Sequence, residues 1–423
     1  MADPIPRTEG LPARRASLQM LDSVLRRGRT LDSAAQDVRG LSDSDRAFAV
    51  AIAGEVLRRL PDLDSLIDSA TKKRLPDDSK ARMVLRIALA QKVALDTPDH
   101  ALVATALPLV AGGPRRLVHG VLGTLLRRGV PAIPAPHLSK DVEQRWSESW
   151  GDRVVEAARR LIADRPPLDL SFKDDEAAQA FAGETGGTSL APRHVRLQDA
   201  GSVSALPRFE SGEWWVQDLA ASVPARLIPA GSKDVLDLCS APGGKAMQMA
   251  AAGHRVTGVD LSQRRLQRLS QNLERTGLSA QLVCADAFKW EPDRKFDAVL
   301  LDAPCSATGT FRRHPEVLYR ARPRIIAEAA DLQSALIERA ADWLRPGGAL
   351  VYSVCALEPE EGEDVIRSFL DRRSDFRRGP PEPGELPGFT APASEGWVRL
   401  LPGTLEDQGG LDGFFAARLV RAV

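Results

Sequence analysis

Two cysteines stand directly after short apolar segments, where their thiols could act as nucleophiles. Cys305 follows Asp302-Ala-Pro, and Cys355 follows Tyr352-Ser-Val. Because both apolar segments are predicted strands, the two thiols should emerge at one edge of a sheet, where ligands of open α/β sheets bind. Two thiols in that place suggest covalent catalysis, and a redox pair or inert packing would give the same pattern.

A second candidate site is the segment from Val235 to Lys245, which is typical of a strand running into a glycine turn that opens a helix. Such a turn lets a ligand approach the backbone closely, and the helix N-terminus favours an anionic group. The turn is not a Walker A loop, because Cys239 and Ala246 stand where Gly and Ser or Thr are required, and it lacks G-x-G-x-x-G. Taken alone, it is also compatible with a structural tight turn.

Aspartates end three further predicted strands, at Asp260, Asp286 and Asp302. Asp260 comes 17 residues after Gly243, where a carboxylate can hydrogen-bond a ribose diol. A single aspartate in such a place is typically a strand-end or helix-cap residue. Three of them beside a glycine turn favour an adenosine-containing cofactor.

The elements that must position these residues differ along the chain. Apolar residues at helical spacing, such as Leu18, Leu21 and Leu25, predict helices over the first 135 residues. A proline-rich linker and a small α+β module follow over 136–208, with a helix near 154–163 and a strand near 168–172. From 209 to 423 an α/β domain is expected, because apolar strands alternate with amphipathic helices and so predict a parallel, doubly wound sheet. Its predicted strands are 235–238, 255–259, 281–284, 298–301 and 349–353, with a terminal pair around 397–401 and 414–420.

Charge and composition limit the functional classes. The chain has 57 basic and 57 acidic residues, which argues against a uniformly basic nucleic-acid coat. The first 140 residues nevertheless hold 22 basic and 15 acidic residues, a net charge of +7, and the remainder carries −7. Four basic clusters in this first part could bind phosphate; they are Arg14-Arg15, Arg26-Arg27, Lys72-Lys73-Arg74 and Arg115-Arg116.

Other features concern metals and membranes. The four cysteines lack paired C-x-x-C spacing, so no metal site is expected. No apolar run reaches the ~18 residues of a membrane span, and the first residues lack an apolar signal core. We therefore expect a soluble, cytoplasmic protein without a membrane partner.

The motifs of the second half resemble the Sun (Fmu) family of RNA cytosine-C5 methyltransferases. The resemblance covers roughly residues 145–423 and implies a Rossmann-like domain that uses S-adenosyl-L-methionine. The segments that carry it are Val216–Asp218, Asp237–Lys245, Asp302–Ser306, Cys355 with Glu358–Glu361, and Asp412–Phe415.

The first part resembles the NusB RNA-binding fold, so an all-α RNA-binding domain is implied there. The combination of a NusB-like domain with such a methyltransferase implies a specific cytosine of 16S ribosomal RNA as target, in free RNA or in a small-subunit assembly intermediate. We expect a monomer, although the sequence does not determine the oligomeric state. The segments that match the NusB pattern are Asp45–Ala49, Gly54–Arg58, Leu85-Arg86 and Gly120–Arg127.

The resemblance also implies roles for single residues. Cys355 matches the nucleophile that adds to C6 of the base, and Cys305 matches the cysteine that assists release. Asp302 and Lys245 are expected near the base edge or the methyl end of the cofactor. Phe311 to His314 could contact RNA. The residues expected to bind the cofactor are Cys239, Ser240, Ala241, Pro242, Gly243, Gly244, Lys245, Asp260, Asp286 and Asp302.

Two alternative functions share these motifs: a transfer-RNA cytosine-C5 methyltransferase, and a non-catalytic RNA-binding or ribosome assembly factor that retains the fold. DNA cytosine methylation fits less well, because those enzymes take their nucleophile from the Pro-Cys motif. The chain also departs from the common family pattern at Val354, Ala356 and Gly362, which bears on hydrogen bonds beside the nucleophile.

Overall fold

The computed structural model describes residues 10–423, which form two compact units. The helical unit comprises the chain up to Arg165 together with Phe311–Arg320, and the sheet unit comprises Pro166–Thr310 and Ala321–Val423. The helices are α1 (Leu11–Arg27), α2 (Leu31–Asp37), α3 (Asp43–Arg58), α4 (Leu60–Ser69), α5 (Lys80–Ala94), α6 (Asp99–Ala106), α7 (Gly112–Arg128), α8 (Lys140–Trp150), α9 (Asp152–Ala163), α10 (Asp175–Thr185), α11 (Val223–Arg226), α12 (Gly244–Ala251), α13 (Gln263–Thr276), α14 (Val317–Arg320), α15 (Pro323–Asp342) and α16 (Glu363–Arg372). The strands are β1 (Leu168–Phe172), β2 (His194–Leu197), β3 (Trp214–Val216), β4 (Asp234–Leu238), β5 (Arg255–Asp260), β6 (Gln281–Cys284), β7 (Phe296–Asp302), β8 (Leu344–Val354), β9 (Phe376–Arg378), β10 (Val398–Leu400) and β11 (Phe414–Arg421).

The helical unit is built on the apolar stripes that its sequence predicts. Met20 and Val24 of α1, Ile52 and Val56 of α3 and Leu89 of α5 are buried in one core. Because residues at this spacing lie on one face of a helix, each of the three helices buries that face against the others. The expectation of an all-α region at the start of the chain is confirmed.

Residues Phe311–Arg320 belong to the helical unit, although they follow the Cys305 loop in the chain. Phe311 is fully buried and packs edge-on against Trp146, with ring centroids 5.5 Å apart. The hydroxyl of Tyr319 donates to the carbonyl of Leu57 at 2.8 Å. Of the four residues from Phe311 to His314 that were expected to contact RNA, Phe311 and Arg312 are buried, which contradicts that role for these two, whereas Arg313 is exposed.

The two units divide at residue 165, which lies within the span 136–208 expected for the linker and the small module. Helices α8 and α9 pack with the helical unit, where Arg58 and Arg59 donate to the carbonyls of Ile162 and Ala163 at 3.1 and 2.8 Å. The strands of the expected 136–208 module instead lie in the sheet unit. Bonds between residues 104 positions apart leave no local pattern, so the sequence gives no sign of this division.

A small antiparallel sheet with the strand order β2-β1-β3 opens the sheet unit. Arg196 donates two bonds to the carboxylate of Asp169, at 2.7 and 2.8 Å, and this buried pair joins β1 to β2. Trp214 and Trp215 are almost fully buried, and the Trp214 indole donates to the carbonyl of Pro207 at 2.9 Å. Both indoles therefore pack inside the sheet unit and are not available to stack on bases.

The large sheet has the order β10-β11-β8-β7-β4-β5-β6, and β9 pairs with β11. Strands β4 to β8 are parallel, whereas β11 runs antiparallel to β8. The predicted doubly wound sheet is therefore confirmed, and an antiparallel edge is added to it. The strand order reverses between β4 and β7, so their carboxyl ends flank the crevice where such sheets bind ligands.

Both faces of the large sheet are covered by helices. Leu236 and Leu238 of β4 pack on the side of α15 and α16, whereas Val235 packs with α12 and α13 on the other side. This alternation follows from the period of two in a strand. Within residues 10–423, no helix combines the length and the apolar character that crossing a bilayer requires.

Candidate cofactor and catalytic site

The glycine turn after β4 has the backbone geometry of a ligand-binding loop. Cys239 has a φ of 60° and Gly243 a φ of 105°, both in the left-handed region. A Cβ at Gly243 would lie 2.0 Å from the side chain of Leu269, so any larger residue would be strained and would also collide. The N–H of Ser240 donates to the carbonyl of Val259 at 3.1 Å and thereby ties the loop to β5.

Asp237 provides an unsatisfied acceptor at the base of this loop. Its Oδ2 accepts from the Ser240 hydroxyl at 2.7 Å, whereas its Oδ1 is buried and has no hydrogen-bond partner among residues 10–423. Burial raises the pKa of Asp237 to about 7. A buried carboxylate oxygen without a donor is costly unless a ligand supplies one. A ligand with a cationic N–H group would satisfy this acceptor.

Asp260, Asp286 and Asp302 lie at the carboxyl ends of parallel strands, as predicted. Asp260 is buried and accepts from the N–H groups of Ala241 and Ser262 at 3.2 and 2.9 Å, so it also shapes the glycine turn. Asp286 follows β6 by two residues and accepts from the N–H of Phe288 at 3.0 Å. The structure thus brings the three predicted aspartates to one edge of the sheet.

Sequence reasoning missed two apolar side chains at this edge. Leu261, which follows Asp260, is 74% exposed, and Phe288, which follows Asp286 by two residues, is 43% exposed. Large apolar side chains this exposed at a ligand-binding edge are candidate contacts for a flat base. The Asp-Leu and Asp-Ala-Phe segments are visible in the sequence, but the exposure of their apolar residues is decided by the fold.

At the other end of the crevice, the sulfur atoms of Cys305 and Cys355 are 3.5 Å apart. The pKa of Cys305 is raised well above its ordinary value, first by the hydrogen bond with Cys355 and then by burial. Both effects disfavour the thiolate form of Cys305, and its S–H lies within hydrogen-bond reach of the Cys355 sulfur. Cys239, in contrast, lies in the cofactor loop, where burial raises its pKa to about 12 and disfavours the nucleophilic form.

Lys245 and Asp302 form an ion pair beside the thiols. The Lys245 ammonium lies 2.7 Å from one oxygen of Asp302, and the other oxygen accepts from Ser353 at 2.8 Å. The ammonium also lies 5.0 Å from the centre of the Phe414 ring, a cation–π contact that the sequence did not reveal. Only 11% of the Lys245 side chain is exposed, so it points into the site and is not a solvated helix-start lysine.

A buried carboxylate holds the Cys305 loop in place. Glu361 is fully buried and accepts from the N–H of Ser306 at 2.8 Å and from its hydroxyl. It also accepts from Gln333 at 2.9 Å, and Gln333 donates in turn to the carbonyl of Pro304 at 2.9 Å. Sequence reasoning quoted Glu361 within a motif but gave it no role.

A second set of bonds joins the two cysteine segments directly. The N–H of Gly309 donates to the carbonyl of Cys355 at 2.9 Å, and the Thr308 hydroxyl donates to Glu358. Val354 and Ala356, the departures beside the nucleophile, are fully buried apolar residues. The loops are therefore held without side-chain hydrogen bonds from these two positions.

We expect Glu361→Gln to lower the rate of methyl transfer by about 10- to 100-fold, because bonds to a charged acceptor contribute about 1.5–3 kcal/mol. The amide would turn a donor toward Ser306 or Gln333 and release the Cys305 loop. Turnover with saturating RNA and cofactor measures the effect. The control is Glu360→Gln, which removes an exposed carboxylate one residue away. Equal turnover in the two variants would contradict the role given to Glu361.

The structure divides the four basic clusters of the helical unit. Arg14 is buried over the Phe48 ring, and Arg26 and Arg27 share the carboxylate of Asp22. Arg14 is therefore held inside the unit, whereas Arg26 and Arg27 are exposed and paired with an acidic side chain. The side chains that stay exposed without an acidic partner in the described chain are Arg15, Lys72, Lys73, Arg115 and Arg116.

We expect the combined change of Lys72, Lys73, Arg115 and Arg116 to glutamine to weaken RNA binding and to flatten its salt dependence. Each lost phosphate contact removes about 0.7–0.9 from the slope of log K against log salt. Titrations at several salt concentrations measure both effects, and the affinity for S-adenosyl-L-methionine should stay unchanged. An unaltered slope would show that this surface does not bind RNA.

No group of three or more His, Cys, Asp and Glu side chains suited to a metal ion occurs in the part of the chain that the structure describes. The donors of the site are thiols, one ion pair and a carboxylate-lined crevice.

The comparisons with known proteins agree with this geometry. Residues 224–420 match the family described as 16S rRNA methyltransferase RsmB/F, and residues 11–127 match the NusB family. The chain is 33% identical to ribosomal RNA small subunit methyltransferase B of Klebsiella pneumoniae subsp. pneumoniae, over 96% of this chain and 98% of that protein. It is 32% identical to the protein of the same name from Xylella fastidiosa, over 98% of this chain and 99% of that one.

Solved structures show the same architecture. The protein PH0851 superposes with a TM-score of 0.74 at 23% identity, covering 98% of this chain and 99% of its own. A methyltransferase homolog protein from Pyrococcus horikoshii gives a TM-score of 0.56 at 26% identity, covering 71% of this chain and 98% of its own. The chain belongs to the family of ribosomal RNA small subunit methyltransferase B.

Proposed function

We propose that this protein methylates C5 of a specific cytosine in 16S ribosomal RNA, with S-adenosyl-L-methionine as methyl donor and Cys355 as the covalent nucleophile. The observation that carries the covalent step is the pair of thiols 3.5 Å apart beside the Lys245–Asp302 ion pair. The ribosomal substrate is supported by the family and by the NusB-family domain.

Residues of the crevice fit the cofactor. Asp237 would offer its unsatisfied acceptor, Gly243 gives the turn its left-handed backbone, and Asp260 at the end of β5 would provide a carboxylate for the ribose. Leu261 and Phe288 supply exposed apolar surface for the adenine. When bound, S-adenosyl-L-methionine supplies an electrophilic methyl group on a sulfonium sulfur.

The chain's own residues then act on the cytosine ring. The Cys355 thiolate adds to C6, and the electron pair of the C5–C6 double bond makes C5 nucleophilic. C5 takes the methyl group, and a base removes the C5 proton. The Cys355–C6 bond then breaks, the double bond re-forms, and the thiolate leaves. Cys305 assists this last step by donating its S–H to the leaving sulfur 3.5 Å away.

Lys245, held by Asp302, stabilises the negative charge that develops on the pyrimidine ring during the addition. Negative charge spreads over the pyrimidine ring once a thiolate has added to it, and an oriented ammonium in a partly dry site stabilises such charge. Lys245 is oriented by Asp302 and by the Phe414 ring, so it does not have to reorganise during the reaction.

The function is tested by mapping 5-methylcytosine across ribosomal and transfer RNA in cells that lack the protein. The proposal expects the loss of one 5-methylcytosine in 16S ribosomal RNA and its return when the wild-type chain is supplied. Loss of a 5-methylcytosine in transfer RNA would instead indicate the alternative substrate. An unchanged set of 5-methylcytosines in both RNAs would favour a non-catalytic assembly role.

A further inference from the structure

A cavity of about 240 Å³ lies in the sheet unit, away from the cysteines and the glycine turn. Its charged or titratable lining consists of Arg193, Arg226 and His254, and no carboxylate is found among the described residues that line it. Ser171 and Gln248 add a hydroxyl and an amide. A concave site lined by cationic groups and hydrogen-bond donors has the composition of an anion site.

Arg226 lacks a counter-ion in this cavity. One terminal nitrogen donates to the carbonyl of Pro192 at 2.8 Å, but its Nε is shielded from solvent and has no hydrogen-bond partner in residues 10–423. Burial lowers the pKa of Arg226, and the neighbouring charge of Arg193 lowers it further. Among the described residues that line the cavity, no carboxylate balances the charge of this guanidinium. A partly buried cation of this kind is costly until an anion binds.

Other arginines of the sheet unit show how such a charge is usually balanced. Arg196 pairs with Asp169, Arg399 with Glu363 and Arg418 with Glu385, and all three arginines are buried or nearly so. Arg275 has no such partner but stacks 4.3 Å from the centre of the Phe209 ring. Arg226 has neither arrangement with any residue that the structure describes.

We propose that this cavity binds a phosphate group, and that under the proposed function this group is a backbone phosphate of the RNA substrate. Ala230 and His254, in its lining, precede β4 and β5, so the cavity lies at the amino ends of these strands. The cysteines lie at the opposite edge, about 17 Å away along a strand of this length. The phosphate therefore belongs to a nucleotide other than the target and adds affinity without taking part in the chemistry.

The test compares Arg226→Gln with Arg377→Gln in the full-length protein. Arg377 is an exposed arginine of β9, so both variants lose one charge from the sheet unit. Inorganic phosphate should raise the melting temperature of the wild type and of Arg377→Gln, relative to chloride at equal ionic strength, but not that of Arg226→Gln. With RNA, Arg226→Gln should raise KM about tenfold and leave kcat and the KM for S-adenosyl-L-methionine unchanged. Arg226→Lys keeps the charge and should restore part of both effects.

The two measurements together distinguish a site for the RNA backbone, a site for free phosphate and the absence of an anion site. Loss of phosphate stabilisation together with the raised RNA KM supports a site for the RNA backbone. Loss of phosphate stabilisation with an unchanged RNA KM overturns the RNA assignment and leaves a site for free phosphate. Equal behaviour of Arg226→Gln and Arg377→Gln in both measurements overturns the proposal. The phosphate measurement needs no RNA, so its result is independent of whether the proposed function is correct.

Discussion

Cys355→Ala is expected to lower the rate of methyl transfer to RNA roughly a thousandfold or more, because an enzyme that loses its covalent nucleophile keeps only binding and electrostatic contributions. C5 of cytosine is a poor nucleophile until a thiolate adds at C6, and no other thiol can take over that step. Cys305 lies closest, but its raised pKa keeps it protonated. Transfer of a labelled methyl group to ribosomal RNA measures the loss.

The control measurement for this variant is its affinity for the cofactor. The residues assigned to the cofactor lie away from Cys355: Asp237 is on β4, Gly243 is in the turn between β4 and α12, and Asp260 is on β5. Binding of S-adenosyl-L-methionine by the variant should therefore match the wild type. Cys284→Ala, at an exposed cysteine, should keep normal turnover. Normal turnover in Cys355→Ala would contradict the assignment of the nucleophile. Loss of cofactor binding would show that the variant is misfolded.

Cys305→Ala is expected to trap the enzyme on its RNA. The variant keeps Cys355 and can form the bond to C6, but it loses the S–H that lies 3.5 Å from the leaving sulfur. Breakdown of the adduct should then be slower than its formation. A covalent protein–RNA complex should accumulate and run as a slower band on a denaturing gel, with the methyl group already on the RNA.

The double variant Cys305→Ala/Cys355→Ala is the matched control, because it removes the sulfur that forms the bond. It should give no adduct under the same conditions. Full turnover without an adduct in the single variant would show that Cys305 only packs against Cys355. An adduct in the double variant would place the covalent bond on another residue.

The glycine turn and the strand-end aspartates could be predicted because their signals are local. A strand of alternating apolar residues, a glycine that must take a positive φ, and a carboxylate at the next strand end all lie within short windows. The strand predicted at 281–284 has the same bounds in the structure, and the strand predicted at 298–301 is longer by three residues. Strand ends are set by pairing with neighbours, which is why they shift.

Contacts between distant residues could not be predicted in this way. Glu361 reaches Ser306 across 55 positions, and Arg59 reaches Ala163 across 104. The same holds for the segment that begins at Phe311, where Phe311 and Arg312 are buried in the helical unit and Arg313 is exposed. Composition describes all of these side chains as candidate RNA contacts, and only the packing shows that Phe311 and Arg312 are buried.

The sequence by itself determined which residues could do chemistry: two cysteines after strands, a glycine turn and a row of aspartates. It did so because residue type and local spacing decide what a strand end can present. The tertiary structure alone decided how they act together. It placed two sulfur atoms 50 positions apart in the chain within 3.5 Å and oriented Lys245 on Asp302. It also left the Nε of Arg226 without a hydrogen-bond partner among residues 10–423. These properties depend on burial and on long-range pairing, since distances between distant side chains exist only once the chain has packed.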